Sequence, residues 1–247
     1  MSDTQLALFT ANKDVSTSFL HAIESSKGWE LLHLSLENYS YAVNLEEEEV
    51  ISEKMDSFSY IIHGNLRNAR FFIQWVQELS VLEEVRNIVH LVPNQASVDF
   101  LSEYDIPAVM PREDARPIDI IEFMLRITRE GTVLYPTTDQ KDEEVPGLLK
   151  ELEMPVVEFQ VCKEDSLAAE TLQEFREKVY SAKLDAVIFH SRSSVTRILT
   201  AFPELDFHSL NCISSGQAVT QKLLESDIPP TLEARGSWRS LLTILTK

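Results

Sequence analysis

Leu184-Asp185-Ala186-Val187-Ile188-Phe189-His190-Ser191-Arg192-Ser193-Ser194-Val195 is a short apolar run that stops in a polar turn. The run is rich in β-branched and aromatic residues and suits a strand buried on both faces. Ser191 and Ser193 are helix-capping residue types. Beyond them Val195, Ile198, Leu199 and Phe202 fall on one helical face. The same grammar occurs 127 residues earlier, where Phe58-Ser59-Tyr60-Ile61-Ile62-His63 matches Asp185-Ala186-Val187-Ile188-Phe189-His190. Asn65 stands at the capping place there, and Leu66, Ala69, Ile73, Val76 and Leu79 make the helical face.

Outward from this pair the correspondence continues. Gln5-Leu6-Ala7-Leu8-Phe9-Thr10 matches Thr132-Val133-Leu134-Tyr135-Pro136-Thr137, and Arg70 matches Arg197. At a shift of 122, Gln95-Ala96 matches Gln217-Ala218, and Asp105-Ile106-Pro107 matches Asp227-Ile228-Pro229. Two copies of one unit predict two similar lobes with a cleft between them. Further strands are expected at Leu6–Phe9, Leu31–Leu34, Ile88–Val92, Val133–Tyr135, Val156–Val161 and Asn211–Ile213. Helices are expected at Ser16–Glu24, Gln95–Glu103, Pro117–Arg129, Leu167–Tyr180 and Ala218–Glu225. Short strands alternating with helices call for α/β lobes with doubly wound parallel sheets. Ligands in such sheets bind at the carboxyl ends of the strands.

Composition excludes several chemistries. The net charge of −18, with basic residues scattered, argues against nucleic acid. Six glycines form neither GxGxxG nor GxxxxGK, so dinucleotide and P-loop sites are not expected. The histidines lack HxH and HExxH spacing, Cys162 and Cys212 stand far apart, and no GxSxG occurs. No metal or other cofactor is expected. No apolar run reaches the ~18 residues of a membrane helix, and Met1–Gln5 lacks the character of an export signal. A cytosolic chain that does not bind membranes is the expectation. The run Glu46–Glu49 reads as the first turn of a helix, favoured by the helix dipole.

The strand ends nominate the site. His63, Asn65, Leu66 and Arg67 lie in one polar turn, and His190, Ser191, Arg192 and Ser193 in its counterpart. Each opens a helix whose first amides can hold an anion. Gln95 and Gln217 also follow strand ends, as do Thr10 and Ser214. Histidine titrates where acid catalysis needs it, so His63 and His190 are the candidate proton donors.

These stretches resemble a known family. The run 184–195 is similar to the "D-x-V-x-F-T-S-x-S-x-V" element of uroporphyrinogen-III synthases, and Ser59–Phe72 to their "D-x-(I/V)-I-F-T-S-x-N-G-V-x-x-F" element. Cys212–Ala218 resembles their "I-G-x-x-T-A". The resemblance implies a first lobe of residues 1–34 with 165–247, a second of 42–155, and linker strands at 35–41 and 156–164. It also implies a hydro-lyase that closes the linear tetrapyrrole hydroxymethylbilane to uroporphyrinogen III, with loss of water and inversion of the last ring. Such chemistry needs positioning and many donors for eight carboxylates rather than a strong nucleophile. This chain departs from the family by carrying His63 and His190 for Thr, Gln95 and Gln217 for Thr, and Val161-Cys162-Lys163-Glu164 where a hinge strand often reads "V-Y-x-T". It reads as a divergent member, with a monomer as the expected state. The alternative is a non-catalytic two-lobe binding or sensor protein on the same scaffold.

Overall fold

The computed structural model describes residues 4–25, 28–112, 115–127, 130–141 and 144–246, and for 13–18 it describes the backbone alone. The elements in chain order begin β1 (Gln5–Phe9), α1 (Lys13–Glu24), β2 (Trp29–His33), β3 (Tyr39–Tyr41), α2 (Leu45–Glu53), β4 (Phe58–Ile62), α3 (Leu66–Leu79), α4 (Leu82–Arg86) and β5 (Val89–Leu91). Next come α5 (Gln95–Ser102), β6 (Ala108–Val109), α6 (Pro117–Ile127), β7 (Thr132–Thr138), α7 (Glu144–Glu151) and β8 (Val156–Glu164). The chain closes with α8 (Ala169–Ser181), β9 (Ala186–Phe189), α9 (Arg192–Ala201), β10 (Asn211–Ser214), α10 (Gln217–Leu224), β11 (Leu232–Glu233) and α11 (Trp238–Leu245). The last two residues of the helix expected over 117–129 lie outside the described residues.

Two compact units result, Met1–Asn38 with Asp165–Lys247, and Tyr39–Glu164. The first holds a parallel sheet in the order β11-β10-β9-β1-β2. The second holds β3-β8-β7-β4-β5-β6, parallel except for β3, which runs antiparallel to β8 with Tyr41 opposite Cys162. Alternate strand residues build a core on each sheet face, as the pleat requires. In the first unit Leu8, Val187 and Phe189 pack with α8, α9 and α10, while Ala7, Phe9, Ile188 and Ile213 pack with α1 and α11. In the second, Ile61, Leu134 and Phe159 face α2, α3 and α5, while Tyr60, Ile62 and Tyr135 face α6 and α7. Trp75 of α3 is fully buried, and its Nε1 donates to Glu48 at 2.9 Å.

The strand orders explain the duplication. Without its edge strand β3, the second sheet reads β8-β7-β4-β5-β6, and β2-β1-β9-β10-β11 is the same order. The residues matched at a shift of 127 therefore take equivalent places. Yet β1 pairs with β9, and β7 pairs with β4. Each unit thus combines one β-α-β piece from one half of the chain with three strands from the other half. The match extends to backbone conformation. Asp105 and Asp227 both sit in the left-handed region, at φ 56° and 58°. The following residues close the same cap, Ile106 N to Leu101 O at 3.2 Å and Ile228 N to Leu223 O at 2.9 Å.

The acidic run does open a helix. Asn44 caps α2, and Glu46, Glu47 and Glu48 occupy its first turn. Unlike a purely solvated turn, it is engaged: Glu47 pairs with Lys141 and Glu48 with Trp75. The strands absent from the sequence reading, β6 and β11, are two residues long, while β3 falls within the segment 35–41 expected as a linker strand. Segments as short as β6 and β11 leave no alternation to read.

Candidate functional site

The carboxyl ends of the parallel strands carry the polar turns in both units. In the second unit, β4 runs into His63, whose amide donates to Leu91 O at 3.0 Å. Asn65 caps α3 by accepting from Asn68 N at 2.9 Å. Asn68 is buried and ties the turn to the neighbouring strand through Nδ2 to Pro136 O, 2.9 Å. The Arg67 guanidinium lies 3.8 Å from the centre of the Tyr39 ring, a cation–π contact that joins α3 to the edge strand. Leu66 is buried in the core wall. Gln95 is exposed on the first turn of α5, its Nε2 donating to Asp99 Oδ1 at 2.7 Å.

His63 is wholly enclosed. Its Nε2 lies 3.0 Å from His90 Nδ1, the two rings stack at 5.3 Å, and His90 Nε2 lies 3.0 Å from Val85 O. A carbonyl only accepts, so His90 carries its proton on Nε2. His90 Nδ1 then accepts from His63 Nε2, and His63 Nδ1 is a bare lone pair with no partner among the described residues. Burial, and next the neighbouring His90, push His63 well below the usual histidine range. Burial pulls His90 down to about 4, against the Val85 hydrogen bond. This is a neutral pair inside the core. His63, read from the sequence with His190 as a candidate proton donor, has neither an exposed face nor a group that would stabilise its charge.

His190 occupies the matching strand end of the first unit in opposite surroundings. Its Nε2 lies 3.0 Å from Glu37 Oε1, which also accepts from Arg197 Nη1 at 3.2 Å. Glu37 Oε2 accepts from the Asn12 amide at 2.8 Å. The side chains of His190, Glu37 and Arg197 are 6%, 9% and 12% exposed. Burial acts to raise the Glu37 carboxyl. The His190 hydrogen bond and charge, the Arg197 charge and the Asn12 amide outweigh it and hold the group at about 2. Trp238 stacks on the His190 ring at 6.1 Å, and Phe9 meets it edge-on at 5.9 Å. His190 Nδ1 and the Oγ1 of the buried Thr10 have no partner among the described residues.

The turn 190–194 is a capping box. Ser191 Oγ accepts from Ser194 N at 3.0 Å, and Ser194 Oγ accepts from the amides of His190 and Ser191 at 3.1 and 3.0 Å. Three amides of the turn are thus engaged internally, fewer being open to an anion than the sequence suggests. Arg192 and Ser193 are half-buried on the first turn of α9. Ser214 is buried and bonds Gly216 O and Thr220 Oγ1, at 2.8 and 2.9 Å, while Gln217 is exposed at the start of α10.

Sequence reasoning missed Glu37, His90 and Trp238. Glu37 meets His190 across 153 positions. Its only trace was on the other partner, since Arg197 was already singled out by its match to Arg70. No group of three or more metal-ligating side chains occurs among the described residues. No helix among them is long and apolar enough to cross a membrane.

Comparison with known proteins decides the family. The family model described as uroporphyrinogen-III synthase HemD matches residues 27–237. The chain belongs to the uroporphyrinogen-III synthase HemD family. Among solved structures, it is similar to uroporphyrinogen-III synthetase from Helicobacter pylori 26695, with a TM-score of 0.60 and 14% identity over 98% of this chain and 97% of that one. It is also similar to a mutant uroporphyrinogen III synthase from the extremely thermophilic bacterium Thermus thermophilus, with a TM-score of 0.58 and 12% identity over 97% and 96%. At such identities the likeness establishes the fold shared with these HemD-family structures. No curated protein matches the chain by sequence.

Proposed function

We propose that this protein closes hydroxymethylbilane to uroporphyrinogen III, releasing water and inverting the terminal pyrrole ring. The observation that carries the reading is the family match over residues 27–237. The polar turns at equivalent strand ends of both sheets support it, because an octacarboxylate needs donors from helix N-termini and side chains rather than a basic surface. The substrate loses its hydroxyl to give an azafulvene cation. The terminal ring attacks through its substituted α-carbon, and the spiro intermediate fragments and recloses. Uncatalysed closure gives the uninverted isomer, so positioning is the enzyme's main contribution. His190 is the proton donor to the departing hydroxyl, with Thr10, Asn65, Arg67, Ser191, Arg192 and Ser193 as carboxylate ligands. The protein works as a cytosolic monomer on this one linear tetrapyrrole, with neither nucleic acid nor membrane as partner.

Purified protein incubated with fresh hydroxymethylbilane is expected to yield uroporphyrinogen III, read as the isomer ratio after oxidation. Isomer I alone, formed at the uncatalysed rate, refutes the reading. That outcome favours a binding protein on the same scaffold, a reading supported by the enclosure of His63 and the exposure of Gln95 and Gln217.

A further inference from the structure

His63 and His190 occupy matched strand ends, but only His190 faces a carboxylate. Glu37 Oε1 sits 3.0 Å from His190 Nε2, and a carboxylate at this position can only accept, so Nε2 carries the proton. The ring cannot turn over easily, being stacked on Trp238 and met edge-on by Phe9. Nδ1 is the remaining ring nitrogen, and it is buried without a partner among the described residues. Arg197 Nη1 and the Asn12 amide fix the carboxylate from two other sides, at 3.2 and 2.8 Å. Near-exclusion of water strengthens each of these bonds.

Resting on the synthase reading above, we propose that Glu37 is a positioning residue for His190, holding Nε2–H so that Nδ1 is the atom that exchanges a proton with substrate. In the first step the C–O bond of the hydroxymethyl group breaks, with its electron pair going to oxygen. The proton on Nδ1 of the imidazolium passes to that oxygen, and water leaves. The imidazole remains neutral with Nε2–H on Glu37. The proton lost by the terminal pyrrole on reclosure returns to Nδ1, restoring the starting state. Because Nδ1 is enclosed, contact with substrate requires the half-buried Trp238 or the 190–194 turn to yield.

Two measurements test this on the full chain. The first is the 15N spectrum of histidine-labelled wild-type protein, with His190 assigned by its loss in His190→Gln. Neutral His190 is expected to be protonated on Nε2, and protonation on Nδ1 overturns the proposal. The second is steady-state kinetics of Glu37→Gln, whose fold is checked by circular dichroism. kcat is expected to fall roughly 10- to 100-fold, part of the 10²–10⁴ that a positioned acid supplies, with KM little changed. Wild type forming isomer III while Glu37→Gln keeps its kcat refutes the role of Glu37 alone. Wild type giving only isomer I refutes the synthase reading, and with it any catalytic role for the pair.

Discussion

The ring of His63 gives its Nε2 proton to His90, and His90 gives its own to the Val85 carbonyl, so neither can ionise without placing charge in an apolar core. His63→Ala removes the donor to His90 and leaves a cavity beside Phe72, whose ring is 5.4 Å away. A loss of about 2–4 kcal/mol is expected in urea titrations. His190 instead meets the Glu37 carboxylate at 3.0 Å, so two matched strand-end histidines have opposite surroundings. The pH dependence of stability differs between the two places as well, through His90 in one and Glu37 in the other. The folded value of His90 lies at about 4 against 6.5 when unfolded. Below pH 6.5 the unfolded chain takes up a proton that the folded one refuses, so stability falls from there to about pH 4, by on the order of 3 kcal/mol. Glu37, held at about 2 against 4.5 unfolded, contributes stability that is complete above pH 4.5 and is lost as pH falls toward 2. Nothing in the sequence distinguished the two histidines, since the partners that separate them, His90 and Glu37, come from other strands and loops.

Helix ends carry the next level of organisation. Asp227 closes α10 at φ 58°, a conformation that costs a side-chain-bearing residue about 1 kcal/mol and glycine almost nothing. Its side chain is exposed, so Asp227→Gly is expected to raise stability by about 0.5–1 kcal/mol by chemical denaturation. At the other end of the same helix, Gly216 abuts the backbone of Gly236. A Cβ at 216 would lie 2.9 Å from the Gly236 Cα, where only backbone can give way. Gly216→Ala is expected to cost about 1–3 kcal/mol, measured the same way. These caps were partly legible: Asn65 and Ser191 were read as capping residues, and both cap. The closeness of Gly216 to Gly236 was not, because it depends on how the β11–α11 connection packs against α10.

The repeat spans nearly the whole chain, yet its boundary does not separate the two folded units. Each sheet joins strands from both halves, through β1 with β9 and β4 with β7. Local energetics therefore follow the unit rather than the repeat. The His63–His90 pair weakens the second unit as pH drops below 6.5, while Glu37 holds the first until lower pH. Hydrogen exchange during acid titration is expected to show β4 and β5 losing protection at higher pH than β1 and β9. Simultaneous loss in both sheets would contradict it. The amino-acid order alone established that strands alternate with helices, that the pattern occurs twice, and that polar turns follow the strands. Each of these rests on neighbours a few residues apart, or on self-similarity that needs no coordinates. Which half supplies which strand was available from the sequence only through the family resemblance, since both halves carry the same apolar pattern and either pairing satisfies it; the strand pairing itself is a tertiary fact. So is the choice of histidine that receives a carboxylate, because His190 and Glu37 are 153 residues apart and are joined only when β9 settles beside β1.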